Sequence, residues 1–225
     1  MTTVTAILVA AGSSRRMGFD KLSVRLPDGR TVLETSAAAL AEHPAVTQLV
    51  LVAGGNRAAC EAIAASCPKP CTVVQGGAAR ADSVKNGLAA ADGELVAIHD
   101  AARPFVSGEV ISAALAAAET MGAAAPAVPV KDTVKTVRED GAVEQTLDRD
   151  TLRAVQTPQV FQADLLKAAL QSAVESQIPI TDDCSAVERL GKVVFLVEGD
   201  EENLKITTPV DLILAEAILQ AREER

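Results

Sequence analysis

The chain has 225 residues, 48% of them hydrophobic, a formal net charge of -9 and neither Trp nor Tyr. That length buries a sizeable core in one α/β unit. The acidic balance repels long polyanions and the 2% aromatic content leaves few platforms for stacked bases, so nucleic acid is not an expected partner, whereas small phosphates need only a few local cations and backbone N–H groups.

The first apolar run breaks at Gly12 and follows no basic segment, which argues against a signal peptide or membrane span and for a cytoplasmic location. Cys60, Cys67, Cys71 and Cys184 read as free thiols of a reducing compartment. Cys67 and Cys71 flank Pro-Lys-Pro with no histidine nearby, a poor pattern for zinc.

Short apolar runs over Thr5 to Val9, Gln48 to Val52, Thr72 to Gln75, Leu95 to His99 and Ala124 to Val130 predict buried strands. Between them, Val32 to Glu42, Asn56 to Ala65, Ala81 to Ala90 and Glu109 to Met121 repeat apolar residues at helical spacing, with Thr31 and Glu34 forming a capping box. This alternation implies a parallel sheet covered on both faces. It stops between Lys131 and Arg149, where β-branched and charged residues alternate around Glu139, Asp140 and Gly141, as in a hairpin too polar for the core. Such a hairpin is expected to be an arm that pairs with another subunit. Leu152 to Thr157 is then expected to rejoin the core, followed by helices over Ala163 to Ser176 and Asp182 to Leu190, a strand over Val193 to Val197, and a closing helix from Pro209 to Arg222. No linker or repeat divides the chain, so residues 1–225 are read as a single domain with the arm, about 131–150, as a subelement.

Three strand-to-loop junctions can carry chemistry. In AILVAAGSSRRMGFDK a buried strand runs into Ala10, Ala11, Gly12 and Ser13, small enough for backbone N–H groups to approach phosphate oxygens, and then into Arg15, Arg16 and Lys21, which can neutralise a polyphosphate. It matches neither a P-loop nor a dinucleotide fingerprint. The second junction, QGGAARADSVKNGL, offers Gly76 and Gly77 for close contact with a base or ribose and leads through Asp82 and Ser83 into a helix. The third, VAIHDAARPF, ends a buried strand in His99, Asp100 and Arg103. Asp100 can accept from a ribose or help to hold Mg2+ beside phosphates, and Arg103 can pair with Asp100 or with a substrate anion. With no Ser or Cys nucleophile beside it, His99 is expected to be a satisfied core histidine.

The first junction resembles the nucleotidyltransferase signature AAGxGxRM followed by a lysine. With HDAARP, PVKDTVK, TLDRDTL, QTPQVF, ITDDCSAVE and VEGDEENLKITTPVDL in order, the chain resembles the 2-C-methyl-D-erythritol 4-phosphate cytidylyltransferases over nearly its whole length. The resemblance implies an open, mostly parallel, Rossmann-like α/β sheet with helices on both faces and a projecting β-hairpin arm. It implies transfer of CMP from CTP to a small polyol phosphate in the non-mevalonate route to isoprenoids, with Mg2+ or another divalent cation.

The implied roles place Arg16, Lys21 and Lys205 on the CTP phosphates as catalytic cations. Ala10, Ala11, Gly12, Ser13, Gly76, Gly77, Ser83 and Asp100 bind the nucleotide. Arg103, Thr157 and Thr181 lie near the acceptor, while Thr133 and Arg149 reach the neighbouring site of a homodimer joined through the arm. Ala78 stands where that family carries an acidic residue after the glycine pair, Val9 where proline is frequent, and the stretch from Met17 to Lys21 is short and lacks the usual proline. A ribitol 5-phosphate cytidylyltransferase and a non-catalytic nucleotide-binding regulator are the alternative readings.

Overall fold

The computed structural model describes residues 2–12, 19–176 and 180–224. In chain order β1 (Val4–Val9), α1 (Val32–Ala41), β2 (Gln48–Ala53), α2 (Arg57–Ser66), β3 (Cys71–Gln75), α3 (Arg80–Ala89), β4 (Leu95–Asp100), α4 (Gly108–Met121) and β5 (Ala123–Pro129) keep the alternation. The remainder is β6 (Lys135–Val137), β7 (Val143–Thr146), β8 (Arg153–Val155), β9 (Gln159–Gln162), α5 (Ala163–Glu175), α6 (Asp183–Arg189), β10 (Phe195–Glu198) and α7 (Pro209–Glu223). The main sheet runs β10-β5-β9-β4-β1-β2-β3, with β8 attached to β5. β1, β2, β3 and β4 are mutually parallel, as are β5 and β10.

The central strands are apolar without interruption because each faces helices on both sides. In β1, Ala6 and Leu8 join the core shared with α1, α2, α4 and α7, while Ile7 joins the core shared with α3, α5 and α6. Helix starts follow from local chemistry. Thr31 Oγ1 accepts from Glu34 N and Glu34 Oε2 accepts from Thr31 N, which completes the capping box ahead of α1. Pro209 occupies the first turn of α7, where its missing N–H is harmless.

One strand departs from the expected parallel alternation. β9 lies antiparallel between β4 and β5, inside the sheet, with Gln159, Val160 and Phe161 buried. Leu152 to Thr157, expected to rejoin the core, instead supplies β8, exposed at all three residues and paired with β5. Burial resumes at Gln156.

β6 and β7 pair only with one another, in a two-stranded antiparallel sheet whose turn places Gly141 at φ +83°. That left-handed backbone is open to glycine at little cost. Val137 and Val143 are exposed on this hairpin. Among the described residues no helix is long and apolar enough to cross a membrane.

The parallel register brings the carboxyl ends of β1, β2, β3 and β4 to one edge, and antiparallel pairing places the start of β9 there, with Gln159 opposite Ile98. Ligands of open α/β sheets bind along such an edge.

Candidate active site

The first two loops touch one another along this edge. Ala10 N donates to Val52 O at 2.9 Å and Ala10 O accepts from Asn56 Nδ2 at 3.2 Å, which anchors the start of the small-residue loop. Gly12 is exposed, with open space where a side chain would begin. Ser13, Arg15 and Arg16 lie outside the described residues. A Cβ on Gly76 would sit 2.3 Å from Ala11 Cβ, so only glycine lets the second loop close against the first. Ser83, buried at 2% exposure, accepts from Gly77 N and donates to Ala79 O, both at 3.1 Å, and so braces the glycine pair. Asp82 and Ser83 stand in the first turn of α3, as the helix expected over Ala81 to Ala90 implies, and Asp82 Oδ2 accepts from Ala79 N at the helix start.

A cluster of charge closes the other side. Lys205 Nζ lies 2.5 Å from Asp100 Oδ2, while Arg80 Nη2 lies 3.3 Å from Asp100 Oδ1 and Arg80 Nη1 lies 2.8 Å from Asp183 Oδ2. Burial raises the Asp100 carboxyl, but the charges of Arg80 and Lys205 outweigh it and hold the group at about 2. It is therefore an ionised, hard oxygen donor. Burial raises the Asp183 carboxyl, against the pull of Arg80, and Asp183 Oδ1 is buried without a hydrogen-bond partner among the described residues. Lys21, set by a short helical turn anchored on buried Leu22, donates from Nζ to Ile206 O at 2.6 Å, next to Lys205.

Of the two partners open to Arg103, Asp100 or a substrate anion, Asp100 is not hydrogen-bonded to it. Arg103 Nη1 donates instead to Asn203 O at 2.6 Å, because Arg80 and Lys205 already occupy both carboxylate oxygens. Arg103 Nε is buried without a partner among the described residues.

Thr157 and His99 fix the backbone beneath Asp100. Thr157 Oγ1 accepts from Asp100 N at 3.1 Å and lies 3.0 Å from His99 Nδ1, and His99 Nε2 lies 2.9 Å from Arg103 O. A carbonyl only accepts, so Nε2 carries the ring proton and the threonine hydroxyl donates to Nδ1. His99 is fully buried, and burial pushes its pKa down to about 4, partly opposed by its hydrogen bond to Arg103 O. It is the satisfied core histidine expected from sequence.

This histidine gives a pH signature. The unfolded chain takes up the proton near the ordinary histidine value of 6.5, whereas the folded protein takes it up near 4, so the contribution is intact above about 6.5 and is lost as pH falls towards 4. The amount is about 3 kcal/mol. Asp183, shifted upward, works in the opposite direction, so the comparison needs a control. The stability advantage of the wild type over His99→Gln, from urea unfolding, should shrink by up to that amount between pH 7 and pH 4; a constant difference would contradict a neutral His99.

The remaining expected acceptor residues make no hydrogen bond to Asp100 among the described residues. Thr181 is exposed ahead of α6, where its N donates to Ser185 Oγ at 3.1 Å. Thr133 is exposed at the base of the hairpin, and Arg149 Nη1 donates to Lys131 O at 3.0 Å. Among the described residues neither Thr133 nor Arg149 bonds to the Asp100 cluster.

The family model of 2-C-methyl-D-erythritol 4-phosphate cytidylyltransferase matches residues 4–221. The chain belongs to that family. A cytidylyltransferase of this name from Desulforamulus reducens is 44% identical, with 99% of this chain and 98% of the relative covered. A bifunctional IspD/IspF enzyme from Anaeromyxobacter dehalogenans is 47% identical over 97% of this chain and 57% of its own length. Among solved structures, 4-diphosphocytidyl-2C-methyl-D-erythritol synthase from Anaerococcus prevotii superposes with a TM-score of 0.87 at 32% identity, covering 97% of this chain and 99% of that one.

Within this cytidylyltransferase fold the structure adds residues that sequence reasoning passed over. Arg80 was visible only as part of RADS, although a cation at the first position of a helix works against the helix dipole and so asks for a partner. Asp183 was hidden by Asp182, which does the capping by accepting from Ser185 N at 2.9 Å. Buried Asn203 donates from Nδ2 to Thr157 O and Gln156 Oε1, tying the segment before Lys205 to the threonine beneath Asp100.

Proposed function

We propose that this chain transfers CMP from CTP to 2-C-methyl-D-erythritol 4-phosphate, giving 4-diphosphocytidyl-2-C-methyl-D-erythritol and pyrophosphate. The observation that carries the reading is the convergence of Lys21, Lys205 and ionised Asp100 beside two glycine-bearing loops at the carboxyl edge of the sheet, in a chain of this family. An oxygen of the acceptor phosphate forms a bond to the α-phosphorus, the bond from that phosphorus to the bridging oxygen breaks, and its electron pair leaves with pyrophosphate. The acceptor phosphate is already ionised near neutral pH, so no protein nucleophile is required. The site's work is to position two anions and offset the charge developing at phosphorus.

In this reading Ala10, Ala11, Gly12, Ser13, Gly76, Gly77 and Ser83 cradle the nucleotide, and Arg16, Lys21 and Lys205 meet its phosphates. Arg103 and Thr157 border the acceptor, the first as a cation and the second by holding Asp100 and His99. Thr181 borders it from the loop ahead of α6. Magnesium fits the donor set as an ion carried by the triphosphate. Asp100 offers one ionised carboxylate, and among the described residues no cluster of three His, Cys, Asp or Glu stands ready as a full cage. When bound, the ion would offset phosphate charge and favour departure of pyrophosphate.

The exposed valines of the hairpin, and the distance in the bonding network between Arg149 and the Asp100 cluster, support a homodimer in which Thr133 and Arg149 serve the neighbouring site. Four free thiols fit a reducing, cytoplasmic setting.

The acceptor is tested by competition. With CTP, Mg2+ and equal amounts of methylerythritol 4-phosphate and ribitol 5-phosphate in one vessel, mass spectrometry should find the methylerythritol product in excess. A ribitol product in excess would move the enzyme to the other polyol phosphate.

A further inference from the structure

Asp100 holds two cations of different standing. Lys205 Nζ sits on Oδ2 at 2.5 Å, while Arg80 Nε and Nη2 approach Oδ1 at 3.4 and 3.3 Å. The proposed function, on which this inference rests, needs the Lys205 ammonium on the nucleotide phosphate, so it has to leave Asp100 when CTP binds. An ammonium leaves an anion more readily when a second cation already offsets that anion's charge, because the attraction scales with the net charge it faces.

Arg80 is placed to be that second cation and is prevented from following Lys205. Its Nη1 is anchored 2.8 Å from Asp183 Oδ2, and the Asp183 side chain is fully buried on α6. The other groups nearby make no hydrogen bond to the Asp100 carboxylate: His99 on β4 is held by Thr157 and Arg103 O, and Arg103, whose charge acts on Asp100 only from a distance, donates to Asn203 O. Lysine could not replace Arg80 either, since one ammonium cannot span two carboxylates with the fixed fork of a guanidinium.

We propose that Arg80 is a positioning residue that frees Lys205 for the nucleotide phosphate by holding the charge of Asp100 in its place. The competing explanation is that Arg80 serves only to neutralise buried Asp183. The Asp183→Asn background separates the two, because removing Arg80 then leaves no charge unpaired at position 183.

The test is CTP binding by titration calorimetry with magnesium chloride and no acceptor, so it does not depend on which polyol phosphate is the substrate. Arg80→Ala is introduced into Asp183→Asn, and again into Asp183→Asn with Lys205→Ala, and thermal melting checks that each protein is folded. With Lys205 present, loss of Arg80 should weaken CTP binding about tenfold, the scale of one charge-assisted hydrogen bond. With Lys205 absent, the loss should be smaller by at least about threefold, since no ammonium remains to be freed. An equal loss in both backgrounds, or none in either, would overturn the proposal. Failure of the wild type to bind CTP is a separate result that would remove the nucleotide reading and this proposal together.

Discussion

Replacing Lys205 with alanine is expected to lower the turnover number for CMP transfer by about 10²–10³-fold, the usual cost of losing one group aimed at charge that develops in a transition state. The Lys205 side chain is 41% exposed, and although its partner Asp100 is only 13% exposed, Arg80 remains on that carboxylate when Lys205 is removed, so the variant should stay folded. The backbone that carries it is fixed independently. Ile206 N donates to Ala102 O at 2.8 Å, and Asp211 Oδ2 accepts from Thr207 N and Thr208 N, both at 2.7 Å. Activity and stability should therefore separate. Steady-state rates and a melting curve on the same preparation check this, and a variant with normal turnover would remove Lys205 from the chemistry.

Phe161→Ala should be the most costly core change. Phe161 is fully buried in β9 and packs in the core shared with α3, α5 and α6. Truncating a buried phenylalanine costs about 3–5 kcal/mol, which for a chain of this size lowers the melting temperature by roughly 6–20 °C. The β9 strand also sets Gln159, whose Oε1 accepts from Asp183 N at 3.0 Å and whose Nε2 donates to Asp182 Oδ2 at 2.7 Å. Loss of Phe161 should thus loosen α6 along with the sheet, read as earlier hydrogen exchange there than in α1. A melting temperature within a few degrees of the wild type would contradict β9 as a central strand.

The central strands β1, β2, β4 and β5 were legible because they read as mostly apolar runs buried on both faces, and the more exposed β3 and β10 were legible as short β-branched runs between helices. β9 escaped because QVFQ is only four residues long and lies antiparallel among parallel neighbours, a pairing that local pattern does not encode. β8 was misplaced for a related reason. Arg153, Ala154 and Val155 follow a strand-like pattern but attach to the sheet through β5 alone and stay exposed.

The site was legible where chemistry and topology coincide. Asp100 and Lys205 stand far apart in sequence, yet each follows a strand whose end points to the same edge, and the family resemblance placed both. The partners of Asp100 were not legible. Arg103 is close in sequence and was one candidate to pair with it, while its second partner beside Lys205, Arg80, depends on how α3 packs against β4 and α6, a matter of tertiary geometry. The reverse holds for Ser83 and Thr157, whose hydroxyls are spent on the loop and on His99. Their influence on a ligand runs through the backbone they hold.

The most direct test of the central claim is pyrophosphate release from CTP and Mg2+ by the purified protein, with methylerythritol 4-phosphate, with ribitol 5-phosphate and with no acceptor. The account predicts release that requires methylerythritol 4-phosphate and matches the cytidylylated product mole for mole. Release without an acceptor, or none with either polyol phosphate, would contradict it.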